Sequence, residues 1–336
     1  MADYADIFKG VVSVRRDGEV YTPLRFTQKQ LNRYESYDKL PACPFACATA
    51  NVTMEFTTAA ETVSFRYLCG EIWNWWPNSD PQFDIYENGV LRIHKKVCKE
   101  GGTVEYRRQE PGAAHIVIQL PHNAEIRICG FSAGEYTPVP ARARRLLVLS
   151  DSIGQGLMGN SGCMNYATHL GRFYDMDVLN QSVGGDRHDP AKIDEDLSFD
   201  PTDVILSLGT NDAVSPDSWE TLRSNIHAFY DKAAKVYRGK NVIVISPLYV
   251  FDFQPDAVIE AADGIDPEGW RPQSERLGIF HKVREELISQ AAEKGFRHID
   301  GMKVVPRDRR YFSDGCHPND LGFALFTLGI LKELSR

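Results

Sequence analysis

Up to about residue 136 the apolar positions recur at every second residue. Val11–Val14, Asn51–Phe56, Glu61–Tyr67 and Ala124–Cys129 each alternate apolar with polar side chains, the period of a strand with one buried face. Phe83–Tyr86 and Val90–Ile93 do the same on either side of Glu87-Asn88-Gly89. Asn-Gly between two such runs predicts a hairpin, because both residues tolerate positive φ. Thr103–Arg108 and His115–Leu120 form a second pair around Pro111-Gly112. Many short alternating strands separated by regular turns predict an N-terminal β-sandwich, jelly-roll-like, over residues 1–136.

The pattern then changes. Pro138-Val139-Pro140 and the basic run Ala141–Arg145 read as a linker over 137–145. Beyond it, the apolar runs Leu146–Leu149, Val178–Leu179, Val204–Leu206 and Val242–Ile245 suit strands buried on both faces. Helix-period segments lie at Ser218–Tyr237, Glu275–Lys294 and Asn319–Leu334. Strand–helix alternation predicts an α/β domain over 146–336, a parallel sheet flanked by helices and joined by right-handed crossovers. Such sheets hold their sites at the carboxyl ends of the strands.

Length and composition narrow the classes. At roughly 150 residues per domain, 336 residues allow about two domains. An apolar share of 43% and a charged share of 25% exclude collagen-like and wholly disordered chains. The net charge of −8 argues against nucleic-acid and anionic-membrane partners. No apolar run is long enough to span a bilayer, and the acidic start Met1-Ala2-Asp3-Tyr4 has no basic n-region. Seven cysteines, an odd number without a CxxC pair, read as reduced thiols and a cytoplasmic location.

Chemistry concentrates at the predicted strand ends. Ser150-Asp-Ser-Ile-Gly-Gln-Gly156 follows the first, Asn180-Gln-Ser-Val-Gly-Gly-Asp186 the second and Gly209-Thr-Asn-Asp212 the third. Asp314-Gly-Cys-His-Pro318 precedes the last helix. Together these blocks resemble, in order, those of the SGNH or GDSL hydrolases, over Leu146 to about Leu334. The resemblance implies Ser152 as nucleophile, His317 as general base and Asp314 as the acid orienting the histidine. A serine hydroxyl needs an adjacent base, and the imidazole needs a carboxylate on its other nitrogen. It also implies an oxyanion hole from the backbone N–H groups of Ser152 and Gly185 and the side-chain amide of Asn211. Gly184 is a rival donor, with Gly185 preferred because it directly precedes Asp186. One departure stands out: Ser150 occupies a position where the family usually has glycine. Gly315 is expected to give the Asp314–His317 turn its freedom.

Other candidates carry less. Asp186-Arg-His-Asp189 lacks a second ligand cluster and reads as a solvated loop, so no metal is expected. His169 and His227 fall in helical patterns as packing or surface residues. Cys316 stands beside the expected base but is redundant with a serine. No nucleotide or zinc-protease motif occurs, and no cofactor is expected. Trp73 and Trp75 would share one strand face and Trp76 the other. They could line a sugar-binding groove, or pack in the core or between domains. Trp270 lies with Phe251 and Phe253 in a long segment suited to shaping a pocket. A sandwich followed by an SGNH-type domain is similar to some carbohydrate acetyl esterases. That resemblance implies a serine esterase acting on short acyl, above all acetyl, esters of a small molecule or oligosaccharide. The alternatives are a general short-chain esterase, a thioesterase or lysophospholipase-like enzyme, and a carbohydrate-binding protein with a vestigial hydrolase domain. A homo-oligomer is left open.

Overall fold

The computed structural model describes residues 3–35, 42–73, 80–254 and 271–336. Two antiparallel sheets form its N-terminal half. One runs Phe8–Lys9, Thr53–Thr58, Ala114–Gln119, Gln82–Glu87, Val90–Lys96, with Tyr136–Pro138 also paired to Thr53–Thr58. The other runs Ser13–Asp17, Val20–Leu24, Ala124–Ser132, Thr62–Ile72, Gly102–Arg107. Alternate residues of both, among them Phe56, Phe65, Phe83, Ile116, Ile126 and Ile128, meet in one apolar core. This is the expected sandwich. The Asn88-Gly89 turn takes φ of 50° and 80°, as its sequence requires. The strand expected over Val11–Val14 is displaced, and the chain breaks at Gly10 instead. That residue has φ 73°, and a Cβ on it would lie 2.5 Å from the Asn51 carbonyl oxygen and 2.9 Å from that of Val178.

The second half is a five-stranded parallel sheet in the order Met176–Asn180, Arg144–Ser150, Asp203–Ser207, Asn241–Ile245, Arg297–Ile299. Every strand is flanked on both faces, which explains the continuous apolar runs. Leu146, Val148, Ile205 and Ile243 pack beneath the helices Tyr166–Tyr174 and Asp320–Leu334. Leu147, Leu149, Val204 and Val244 pack against Trp219–Val236 and Gln273–Glu293. The chain leaves Arg144–Ser150 for one neighbouring strand and returns to the other. The carboxyl end of that strand is therefore the topological switch point, where open α/β sheets open a crevice.

The two halves are bound together closely. The expected linker is spent on ion pairs. Arg142 reaches Glu55 at 2.9 Å, Asp175 at 2.7 Å and Asp177 at 2.9 Å. Arg144 meets Asp203, and Arg145 meets Asp200. More unexpected is the segment after Val20–Leu24, which carries the helices Gln28–Glu35 and Ala42–Cys47 onto the strand ends of the parallel sheet. Arg25 is buried there and donates to the carbonyls of Asn180, Ser182, Phe45, Ala46 and Ala48.

Candidate active site

The Arg144–Ser150 strand runs straight into a short helix, Ser152–Gln155. Asp151 is its N-cap, its carboxylate accepting the Ile153 N–H at 3.0 Å. Capping by Asp151 leaves the Ser152 hydroxyl uncommitted to its own helix. Ser152 Oγ instead lies 2.9 Å from His317 Nε2. The departure at Ser150 is absorbed locally: its hydroxyl donates to the Ser207 carbonyl at 2.6 Å. Its side chain is accommodated because residue 154 is glycine, where a Cβ would sit 2.3 Å from that of Ser150.

His317 comes from the loop before the last helix. Its Nδ1 is 2.8 Å from Asp314 Oδ2, while Asp314 Oδ1 accepts the backbone N–H groups of Cys316 at 2.7 Å and His317 at 2.6 Å. One carboxylate thus fixes both the ring and the turn that bears it. Gly315 serves this turn by close approach, since a Cβ there would meet Asp252 Oδ1 at 1.7 Å. Its φ lies outside the left-handed region, so conformational freedom is not what the position uses.

Asn211 is bonded to the neighbours of the other two expected oxyanion donors, Asp151 beside Ser152 and Asp186 beside Gly185. Gly185 has φ 82°, which turns the backbone as glycine permits. The Gly184 N–H is already bound to Gln155 Oε1 at 2.9 Å, whereas no hydrogen bond engages the N–H of Gly185 or Ser152 among the described residues. Asn211 Nδ2 is held by the Asp186 carbonyl at 3.1 Å and by Asp151 Oδ2 at 3.4 Å.

The electrostatics suit a base at position 317. Burial alone would lower the imidazole, but Asp314, then Asp151 and Asp252, raise it above the usual histidine value. Burial would likewise raise Asp314; the charge of His317 and the hydrogen bonds it receives hold it at about 2. Asp151 is pushed up to about 6, chiefly by burial. Burial, followed by the neighbouring carboxylates, pushes the Cys316 thiol far up, so it is no rival nucleophile.

One sequence expectation changes here. The Asp186–Asp189 segment is no solvated loop: Asp186 and His188 are buried, paired with Lys192 and Asp212. No metal-binding cluster occurs among the described residues. Trp73 is 8% exposed and packs with Phe45, Leu157 and Val183, its ring 4.5 Å from that of Phe45. It belongs to the interface between the halves, one of the two roles the sequence left open. Trp75, Trp76 and Trp270 lie outside the described residues. His169 binds Thr327 between two helices, and His227 pairs with Glu286. Sequence reasoning missed Gln155, whose side chain holds the Gly184 loop and donates to the carbonyls of Phe45 and His122. It also missed Lys192. Gln155 carries no local signal because its partners lie 29 or more positions away, and Lys192 none because its nearby partner Asp186 sits in a stretch that reads as solvated.

The model of the GDSL-like lipase/acylhydrolase family matches residues 151–325, from the residue before Ser152 to beyond His317. The chain belongs to that family. This GDSL-like acylhydrolase is a carboxylic ester hydrolase. A search of curated protein sequences finds no match. Solved structures share the whole architecture at low identity. A salicylyl-acyltransferase, SsfX3, from a tetracycline biosynthetic pathway superposes with a TM-score of 0.77 at 17% identity, covering 98% of this chain and 93% of its own. A family two carbohydrate esterase from Clostridium thermocellum, solved with cellohexaose, gives 0.63 at 14% identity over 86% and 93%. An acetyl xylan esterase, Est2A, from Butyrivibrio proteoclasticus gives 0.57 at 14% over 84% and 88%. At such identities these likenesses establish the fold. No helix among the described residues is long and apolar enough to cross a membrane.

Proposed function

We propose that the protein hydrolyses short-chain acyl esters, acetyl esters of carbohydrate foremost, through an acyl-enzyme on Ser152. The observation that carries this reading is the unbroken Ser152–His317–Asp314 relay at the switch point. Ser152 Oγ attacks the acyl carbon as its proton passes to His317 Nε2, and the imidazolium faces the Asp314 carboxylate. The oxyanion forms against the N–H groups of Ser152 and Gly185 and the amide of Asn211, donors fixed before the substrate arrives. His317 then gives its proton to the departing alcohol oxygen, leaving the acyl group on Ser152. Water attacks that ester by the same path in reverse, releasing the carboxylic acid and restoring the serine.

The acetyl and carbohydrate part of the reading draws support from the folds of the two carbohydrate esterases and from strand ends built of Gly, Ser, Asn and Asp. In it, residues 146–336 carry the chemistry and the sandwich walls the cleft, with Trp73 as packing behind that wall. Acetate release from a panel of acetylated sugars, beside a p-nitrophenyl series from acetyl to octanoyl, tests it. Activity is expected to fall steeply with chain length and to favour the sugar acetates. Preference for octanoyl esters, or for thioesters, would replace it with the lysophospholipase-like or thioesterase reading.

A further inference from the structure

The Asp186–Asp189 segment, which ester hydrolysis itself leaves without a role, sits directly behind the expected oxyanion hole. Asp186 follows Gly185, and its backbone carbonyl holds the amide of Asn211 at 3.1 Å. Its carboxylate takes the Tyr34 hydroxyl at 2.8 Å, faces Arg33 at 3.3 Å and pairs with the ammonium of Lys192. Lys192 in turn donates to the Ser150 carbonyl at 2.9 Å, two residues before Ser152. One ammonium therefore joins the end of the nucleophile strand to the loop presenting Gly185.

The rest of the assembly fixes that ammonium. Asp189 caps the turn that presents Lys192, accepting the Ala191 N–H at 2.8 Å, and pairs with Arg33 at 2.6 Å. Gln30 donates to the Lys192 carbonyl at 2.8 Å. The helix Gln28–Glu35 of the N-terminal half thus grips this loop through Gln30, Arg33 and Tyr34. Two carboxylates meet two cations, with the Lys192 side chain fully enclosed and that of Asp186 2% exposed. Burying such a pair is costly, and apolar residues of like volume would commonly fold as well. Positional control explains the outlay better than stability does.

We propose that the Lys192–Asp186 pair, completed by Arg33 and Tyr34, is a positioning element that sets the Gly185 and Asn211 donors against Ser152; this rests on the ester-hydrolysis reading above. The N-terminal half then acts on the chemical step through the bonds of Gln30, Arg33 and Tyr34 to Lys192 and Asp186, apart from any contact with substrate. Loose donors cost transition-state binding and spare ground-state binding, so the effect falls on kcat.

The test compares Tyr34→Phe, Lys192→Met and the double variant Lys192→Met/Asp186→Asn with wild type, using p-nitrophenyl acetate. Binding of an alkyl boronic acid, which forms a tetrahedral adduct on serine, is measured in parallel. Tyr34→Phe, which leaves the ion pair in place, is expected to lower kcat about 5- to 10-fold with KM within about twofold. Lys192→Met is expected to lower kcat about 100-fold and to weaken the boronate adduct in step. The double variant, freed of the carboxylate that has lost its ammonium, should recover the melting temperature lost in Lys192→Met while kcat stays low. Recovery of kcat along with melting temperature, or a folded Tyr34→Phe with wild-type kcat and boronate affinity, overturns the proposal. Should Lys192→Met fail to fold, Tyr34→Phe and the double variant decide. Ser152→Ala, run alongside, separates the failures: full activity there overturns the hydrolysis reading itself, whereas an inactive Ser152→Ala beside undiminished Tyr34→Phe and double variants overturns only the positioning role.

Discussion

Among the described residues, two histidine–aspartate pairs combine a ring contact with a backbone hydrogen bond. In each, the aspartate accepts the histidine's backbone N–H on Oδ1 and faces its Nδ1 with Oδ2. The ring distance is 2.8 Å at Asp314–His317 and 3.1 Å at Asp212–His188. The backbone bonds are 2.6 Å and 3.2 Å. What differs is the surroundings. His317 turns Nε2 onto Ser152, and its side chain is 17% exposed. His188 is 1% exposed and enclosed by Phe229 and Tyr230, with ring centroids at 5.2 and 5.9 Å. An oriented imidazole is thus only half of a catalytic device, and a nucleophile at its far nitrogen makes the other half. The enclosed pair becomes a strut: Asp212 adjoins Asn211, so the pair braces the helix that carries that amide.

Experiments can break this contrast at its strongest point first. Ser152→Ala and His317→Ala should each lower kcat on p-nitrophenyl acetate by about 10⁴-fold or more, since nucleophile and base act as a unit. A serine-directed phosphonate should add its mass to the Ser152 peptide, and labelling at another serine would refute the assignment. Asp314→Asn should cost less, about 10²–10⁴-fold. It should also move the acid limb of the kcat/KM profile. The base works unprotonated, so rate is lost as pH falls through the His317 pKa, which Asp314 raises. Removing that charge should shift the limb to lower pH; an unmoved limb would detach Asp314 from the base. Asn211→Ala should lower kcat about 10²-fold with KM nearly constant, and a change confined to KM would make the amide a substrate contact. The smallest effect on rate belongs to the second pair. His188→Ala should destabilise folding by about 3 kcal/mol in urea titration, by leaving Asp212 Oδ2 buried without its ring partner. Its kcat should stay within about tenfold of wild type, and a loss matching His317→Ala would erase the distinction drawn between the pairs.

The contrast also marks what could be read from the chain. Features that depend on near neighbours were legible: alternating strands, the Asn88-Gly89 hairpin and the Asp314–His317 turn; the blocks holding Ser152 and Asn211 were legible as motifs, although their partners are distant. The illegible parts depend on distant partners. Asp186-Arg-His-Asp189 has the composition of a wet loop, and Arg33, Tyr34 and Lys192, with Asp212 for His188, make its burial tolerable. Gln28–Glu35 is short and mostly polar, with Leu31 and Tyr34 alone to mark a face, and Gln30 and the Tyr34 hydroxyl on its buried side meet polar groups. Gly315 was legible as a required glycine but for another reason, since its neighbour Asp252 lies more than sixty residues away. The edge strand Arg297–Ile299 is too short to set a period of its own.

Arg25 has a consequence for the order in which the chain assembles on the ribosome. Its guanidinium binds the Asn180 carbonyl 155 positions later, and the eight-residue helix that follows it is too short to persist unaided. At roughly 5–20 residues per second, the segment waits on the order of 10–30 s for its partners to be made. Nascent chains arrested before Asn180 should exchange the amides of Gln28–Glu35 freely, and chains arrested well beyond Lys192 should protect them; early protection would show that the sandwich holds the segment by itself. During that interval Phe26, Leu31 and Phe45, later sealed against Leu157 and Val183, face solvent or a chaperone. The Arg25–Phe45 segment is therefore expected to settle only after Asn180 and Ser182 have been made.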